Sequence, residues 1–118
     1  MENKILIIED DLDTADILGI IAEQLNAAVV TLHQLPPVTD VKNLAPDLIL
    51  LDHWVGRAFG GDLCARLKAD TATRHIPVIL LSAHMNLEQI ARDSCADTYI
   101  AKPFDVDELL VVIKAYLD

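Results

Sequence analysis

Short apolar runs, each ending in polar side chains, constrain this chain more than any other feature. Ile5-Leu6-Ile7-Ile8 leads into Glu9-Asp10-Asp11, Leu48-Ile49-Leu50-Leu51 into Asp52, Val78-Ile79-Leu80-Leu81 into Ser82, and Tyr99-Ile100-Ala101 into Lys102-Pro103. Runs this short, without polar alternation, suit strands buried on both faces. Longer amphipathic stretches separate them, which predicts a doubly wound α/β fold: a parallel sheet with helices on both faces. The carboxyl ends of parallel strands share one edge. Three acids, a hydroxyl and a lysine then converge on the crevice where open α/β sheets place their chemistry.

The element pattern can be followed along the chain. A strand is expected over Lys4 to Ile8, then a helix from Asp13 to Asn26 with Ile17, Ile20, Ile21 and Leu25 at helical spacing. Asp11 and Asp13 suit the positive end of that helix. Ala28 to Leu32 reads as a strand, and Val38 to Leu44 as a short helix after Pro36-Pro37. Beyond the strand Leu48 to Leu51, the glycine-containing stretch His53 to Gly61 reads as a loop of functional size. A helix from Asp62 to Ala69, a strand from Val78 to Leu81, a helix from Leu87 to Ser94 and a strand from Thr98 to Ile100 follow. A last helix from Val106 to Leu117 has Asp105 as its cap. No repeat or linker interrupts the pattern, so residues 1–118 are expected to be a single domain with no output domain attached.

Composition narrows the function classes. The 118 residues suffice for one buried core, and the 53% hydrophobic share fits a folded protein. A net charge of −10 argues against nucleic-acid binding, since phosphate backbones are held by clustered Lys and Arg. No signal pattern or membrane-spanning run appears, and Cys64 and Cys95 lie far apart without metal-ligand spacing. These features imply a cytoplasmic protein with no membrane contact. His33, His53, His75 and His84 also lack ligand spacing, and His53 is expected to be a filler rather than a phosphohistidine.

The acids suit a hard divalent cation such as Mg²⁺ or Mn²⁺, which takes oxygen ligands. Glu9, Asp10 and Asp52 would supply them, together with a backbone carbonyl near Trp54. Asp52 stands alone on its strand end and is the candidate nucleophile, because carboxylates form aspartyl-phosphate intermediates. The cation and Lys102 would neutralise phosphoryl charge, and Ser82 would donate its hydroxyl to a phosphoryl oxygen. Each piece also has a bland reading: Glu9-Asp10-Asp11 as a helix cap, Asp52 as a turn residue. Their joint occurrence at four strand ends favours the chemical one.

Taken together, Lys4-Ile5-Leu6-Ile7-Ile8-Glu9-Asp10-Asp11, the Asp-Leu-Ile-Leu-Leu-Asp block at 47–52, Leu81-Ser82-Ala83 and Tyr99-Ile100-Ala101-Lys102-Pro103-Phe104 resemble the receiver domain of two-component response regulators. The likeness runs end to end. It implies a five-stranded flavodoxin-like sheet of order 2-1-3-4-5. A sensor histidine kinase or histidine phosphotransfer protein would be the phosphoryl donor in a phosphorelay. Carried over by position, Glu9 and Asp10 match the metal-binding acids, Asp52 the phosphoacceptor and Ser82 the switch hydroxyl. Tyr99 matches the switch aromatic and Lys102 the phosphate-pairing lysine, with a cis Lys-Pro bond. The family's Met-Pro pair after the acceptor is replaced here by Trp54-Val55-Gly56-Arg57, and Cys95 stands where a glycine commonly ends a helix.

The leading expectation is therefore a stand-alone receiver that is not an enzyme beyond self-phosphotransfer and autodephosphorylation. Its output would be protein contact through the face made by the helix at 87–94, the fifth strand and the last helix, including a possible homodimer. Leu109 to Ile113, Tyr116 and Leu117 are more apolar than one core face needs, which suits such a surface or extra core contact. A degenerate receiver that binds partners without phosphorylation is the alternative. A haloacid-dehalogenase-type phosphatase would need an acid where Trp54 stands, and a flavodoxin-like carrier would need a phosphate loop where the acids stand.

Overall fold

The computed structural model describes residues 3–83, 89, 90, 92 and 96–117, and its architecture follows from the buried runs. Strands β1 (Lys4–Ile8), β2 (Ala28–Leu32), β3 (Leu48–Asp52), β6 (Val78–Ser82) and β7 (Thr98–Ala101) form one parallel sheet of order β2-β1-β3-β6-β7. Counting only these five, the order is the expected 2-1-3-4-5. Chain direction across the sheet reverses beside β1, so the crevice between the carboxyl ends of β1 and β3 is the switch point.

The two-residue alternation of strands divides each apolar run between two layers. Leu6, Ile8, Ile49, Leu51, Val78 and Leu80 pack with Val41 of α2 (Val38–Leu44) and Leu63, Cys64 and Leu67 of α3 (Gly60–Ala69). Ile5, Ile7, Leu48, Leu50, Ile79 and Leu81 pack with α1 (Leu12–Glu23) and α4 (Val106–Leu117). Every residue of β3 and β6 is buried, which is why neither run shows polar alternation.

Two expectations need correction and one open choice narrows. The buried face of α1 is Ala15, Leu18, Ile21 and Ala22, while Ile17 and Ile20 are exposed. Both sets have helical spacing; the small alanines let the helix approach the sheet, and the bulkier isoleucines face out. Second, His53 to Gly61 is not an irregular loop. Trp54–Val55 (β4) and Ala58–Phe59 (β5) pair as an antiparallel hairpin around Gly56, whose φ is +63°, and α3 already begins at Gly60. A two-residue turn with glycine first is a standard hairpin connection. Third, Leu110, Val112, Tyr116 and Leu117 pack partly against the core, so much of the apolar excess in α4 is core contact. Val111 stays 69% exposed. Of the helix expected at 87–94, Gln89, Ile90 and Arg92 are helical, and the rest, with His84 and Cys95, lies outside the described residues.

Gly60 sets how closely α3 approaches the sheet edge. A Cβ there would sit 2.0 Å from the backbone oxygen of Asp52, and the Gly60 N–H donates to the His53 carbonyl. Backbone cannot yield as a flexible side chain can. Gly60→Ala should therefore cost about 1–3 kcal/mol, read as a lower urea midpoint; an unchanged midpoint would show that the edge gives way freely.

Candidate functional site

Strand register places the predicted residues on one edge. Glu9 directly follows β1, Asp52 ends β3 opposite Leu81, Ser82 ends β6, and Lys102 follows β7. The Lys102 N–H donates to the Ser82 carbonyl, so β7 is held in register up to the lysine, and the Lys102–Pro103 peptide is cis. Tyr99 lies on β7 and is exposed, while Ser82 is buried.

The three neighbouring acids divide their labour. Asp11 caps α1: its Oδ2 accepts from the Thr14 N–H at 3.0 Å and from the Thr14 hydroxyl, and these bonds hold its carboxyl below the usual range. Glu9 and Asp10 are left for the crevice, where ligand atoms of Glu9, Asp10 and Asp52 all lie within 4.8 Å of one another. Lys102 Nζ donates to Glu9 Oε1 at 2.5 Å and stands 3.4 Å from Asp52 Oδ1. His33 is no ligand; its ring nitrogen meets the Glu9 carbonyl at 2.9 Å. His53 is buried beside Trp54 and Phe59, with ring centroids at 5.7 and 5.5 Å.

Burial makes this cluster electrostatically tense. Glu9 is fully buried, and its Oε2 has no hydrogen-bond partner among the described residues. Desolvation first, and the adjacent Asp52 carboxylate second, raise its pKa from an ordinary 4.5 to about 8 despite the Lys102 ammonium. For Lys102, burial alone would lower the amine, but Glu9 and Asp52 outweigh it and hold the group above its usual range. A buried carboxylate whose ionisation is opposed, with one oxygen unpartnered among the described residues, fits a divalent cation, which would take the place of a proton there. The residues present therefore fit Mg²⁺ or Mn²⁺.

Sequence reasoning missed two contributors. The Gly56 N–H donates to Asp10 Oδ2 at 2.9 Å, and the Phe59 ring lies 4.1 Å from that of Trp54. The signal was present as the pair Gly56-Arg57 flanked by the β-prone Trp54, Val55 and Phe59.

The pH dependence follows from Glu9. Its folded-state value lies above its unfolded one, so between pH 4.5 and about 8 the folded chain binds more protons and stability falls as pH rises. In EDTA, wild type should lose on the order of a few kcal/mol relative to Glu9→Gln over that window. Parallel pH–stability curves for the two proteins in urea titrations would contradict it.

The family model described as response regulator receiver domain matches residues 5–114. The chain is 37% identical to the DNA-binding dual master transcriptional regulator RpaA of Synechocystis, covering 97% of this chain and 48% of that protein. It is 33% identical to the phosphate regulon transcriptional regulatory protein PhoB of Escherichia coli, covering 99% and 52%. The chain thus spans about half the length of the curated relatives it matches. Among solved structures, the signal receiver domain of a DNA-binding response regulator from Colwellia psychrerythraea superposes with a TM-score of 0.87 at 30% identity, covering 98% of each chain.

Proposed function

The chain belongs to the response regulator receiver family, and we propose that it acts as a phosphoryl-accepting switch with Asp52 as the acceptor. The observation that carries this reading is the meeting of Glu9, Asp10 and Asp52 within 4.8 Å, with the Lys102 ammonium on two of them. In the transfer, an Asp52 carboxylate oxygen attacks phosphorus of a partner's phosphohistidine. The N–P bond breaks, the O–P bond forms, and the ring nitrogen takes up a proton. A bound Mg²⁺ or Mn²⁺, held by Glu9, Asp10, Asp52 and the Trp54 carbonyl, supplies charge neutralisation for the phosphoryl oxygens. Lys102, kept protonated by its acidic neighbours, pairs with the transferred group, and the Ser82 hydroxyl donates to it.

The donor in this reading is a sensor histidine kinase or histidine phosphotransfer protein, and the domain is a signalling acceptor limited to self-phosphotransfer and autodephosphorylation. The relatives named as DNA-binding do not support the expectation of a stand-alone domain. The −10 charge of these 118 residues opposes contact between them and a phosphate backbone. A cytoplasmic setting belongs to the same proposal; among the described residues no helix is long and apolar enough to cross a membrane.

Two experiments test it. With acetyl phosphate and Mg²⁺, intact mass should show one added phosphoryl group, absent in Asp52→Asn and in EDTA. Labelling of Asp52→Asn would move the acceptor elsewhere, and no labelling of wild type would leave a phosphorylation-independent binding module. Second, phosphorylation draws Ser82 toward the new oxygens and gives the Tyr99 ring room to turn, biasing a two-state surface. Beryllofluoride should shift amide resonances on β7 and α4 more than those of α1. Shifts confined to the neighbours of Asp52 would count against signalling through that face.

A further inference from the structure

Asp10 is the exposed member of the acid cluster, yet the tip of the β4–β5 hairpin reaches it: the Gly56 N–H donates to Asp10 Oδ2 at 2.9 Å. The hairpin is short, with two residues on each strand, and needs something to hold it. Antiparallel ladders alternate hydrogen-bonded pairs with non-hydrogen-bonded ones, and side chains lie closest at the latter. Gly60 N–H donates to the His53 carbonyl, while Trp54 faces Phe59 and Val55 faces Ala58. Alternation makes Trp54–Phe59 the non-bonded pair. Its rings meet with centroids 4.1 Å apart and planes tilted by 40°, although both residues are more than 40% exposed. The backbone groups of that pair point out of the ribbon, so the Trp54 carbonyl is not spent on β5.

We propose that the hairpin is a positioning element for the cation site. The Trp54–Phe59 ring contact holds the ribbon, and the ribbon tip ties one oxygen of Asp10 through the Gly56 N–H. The other oxygen is thereby presented alongside Glu9 and Asp52. Gly56, Trp54 and Phe59 then act as positioning residues, two of them through the backbone they hold. A hydrogen bond from an amide to a carboxylate is of the stronger, charge-assisted kind, and partners of metal ligands set ligand orientation. Gly56 suits the tip because its φ of +63° is open to glycine and strained for other residues. This inference rests on the reading of Glu9, Asp10 and Asp52 as a divalent-cation site.

The test is calorimetric titration of the whole chain with MgCl₂, joined to amide hydrogen exchange at Gly56 in the metal-free protein. Phe59→Ala should weaken Mg²⁺ binding by about tenfold, the lower end for outer-shell partners, while Phe59→Tyr keeps the wild-type affinity. Exchange at Gly56 should accelerate in Phe59→Ala and in Asp10→Ala, and stay slow in Phe59→Tyr. A general loss of stability would not produce that shared response at one amide. If Phe59→Ala does not fold, Phe59→Leu, apolar but without a ring, answers the same two measurements. Wild-type Mg²⁺ affinity with a protected Gly56 amide in the folded variant would overturn the positioning role alone. A wild type that binds no Mg²⁺ would overturn the cation site, and the positioning role with it.

Discussion

The contact on which the sheet edge depends is the Lys102 ammonium between Glu9 and Asp52. Neither partner comes from a strand beside β7: β6 separates β7 from β3, and β3 and β6 separate it from β1. A fully buried carboxylate is expensive unless it is paired or protonated. Burial first, and the Asp52 carboxylate second, raise the pKa of Glu9, and one lysine leaves the acids gathered there with a deficit of positive charge. In the proposed function that deficit makes the crevice receptive to a cation and, with a cation bound, to a phosphoryl group. Stability and chemistry therefore oppose each other at this edge, as expected where a site is built from like charges.

Around that charge cluster the backbone is arranged to leave little slack. Gly60 lets α3 press against the Asp52 carbonyl, and the bond from Gly60 to His53 closes the base of the hairpin. At the far end, Gly56 reaches Asp10. The segment after Asp52 is thus closed at its root by the bond to His53 and bound at its tip to the residue following Glu9. A two-stranded ribbon has little stability of its own, so its order comes from these attachments and from the Trp54–Phe59 contact.

The strands were legible because burial on both faces leaves an uninterrupted apolar run, a pattern few other environments tolerate. Four of the site residues were legible for a related reason: Glu9, Asp52, Ser82 and Lys102 stand where such runs stop. The helices were harder to orient. In α1 two faces carry apolar side chains at helical spacing, and Leu18 with Ala15 and Ala22 prevails over Ile17 and Ile20 because close approach to the sheet rewards small residues. In α4, side chains that looked surplus for one face pack at the margin of the core, leaving Val111 outside.

What the sequence determined alone is the layer architecture and the roster of polar side chains at the strand ends, since hydrophobic period and run length act locally and survive any tertiary arrangement. What tertiary structure decided is which atoms meet. That Lys102 reaches Glu9 across 93 positions depends on strand order. That Gly56 touches Asp10 depends on a turn whose placement only the packed sheet supplies. Such contacts join residues distant in the chain, and the field felt by Glu9 is the sum over neighbours that only folding assembles.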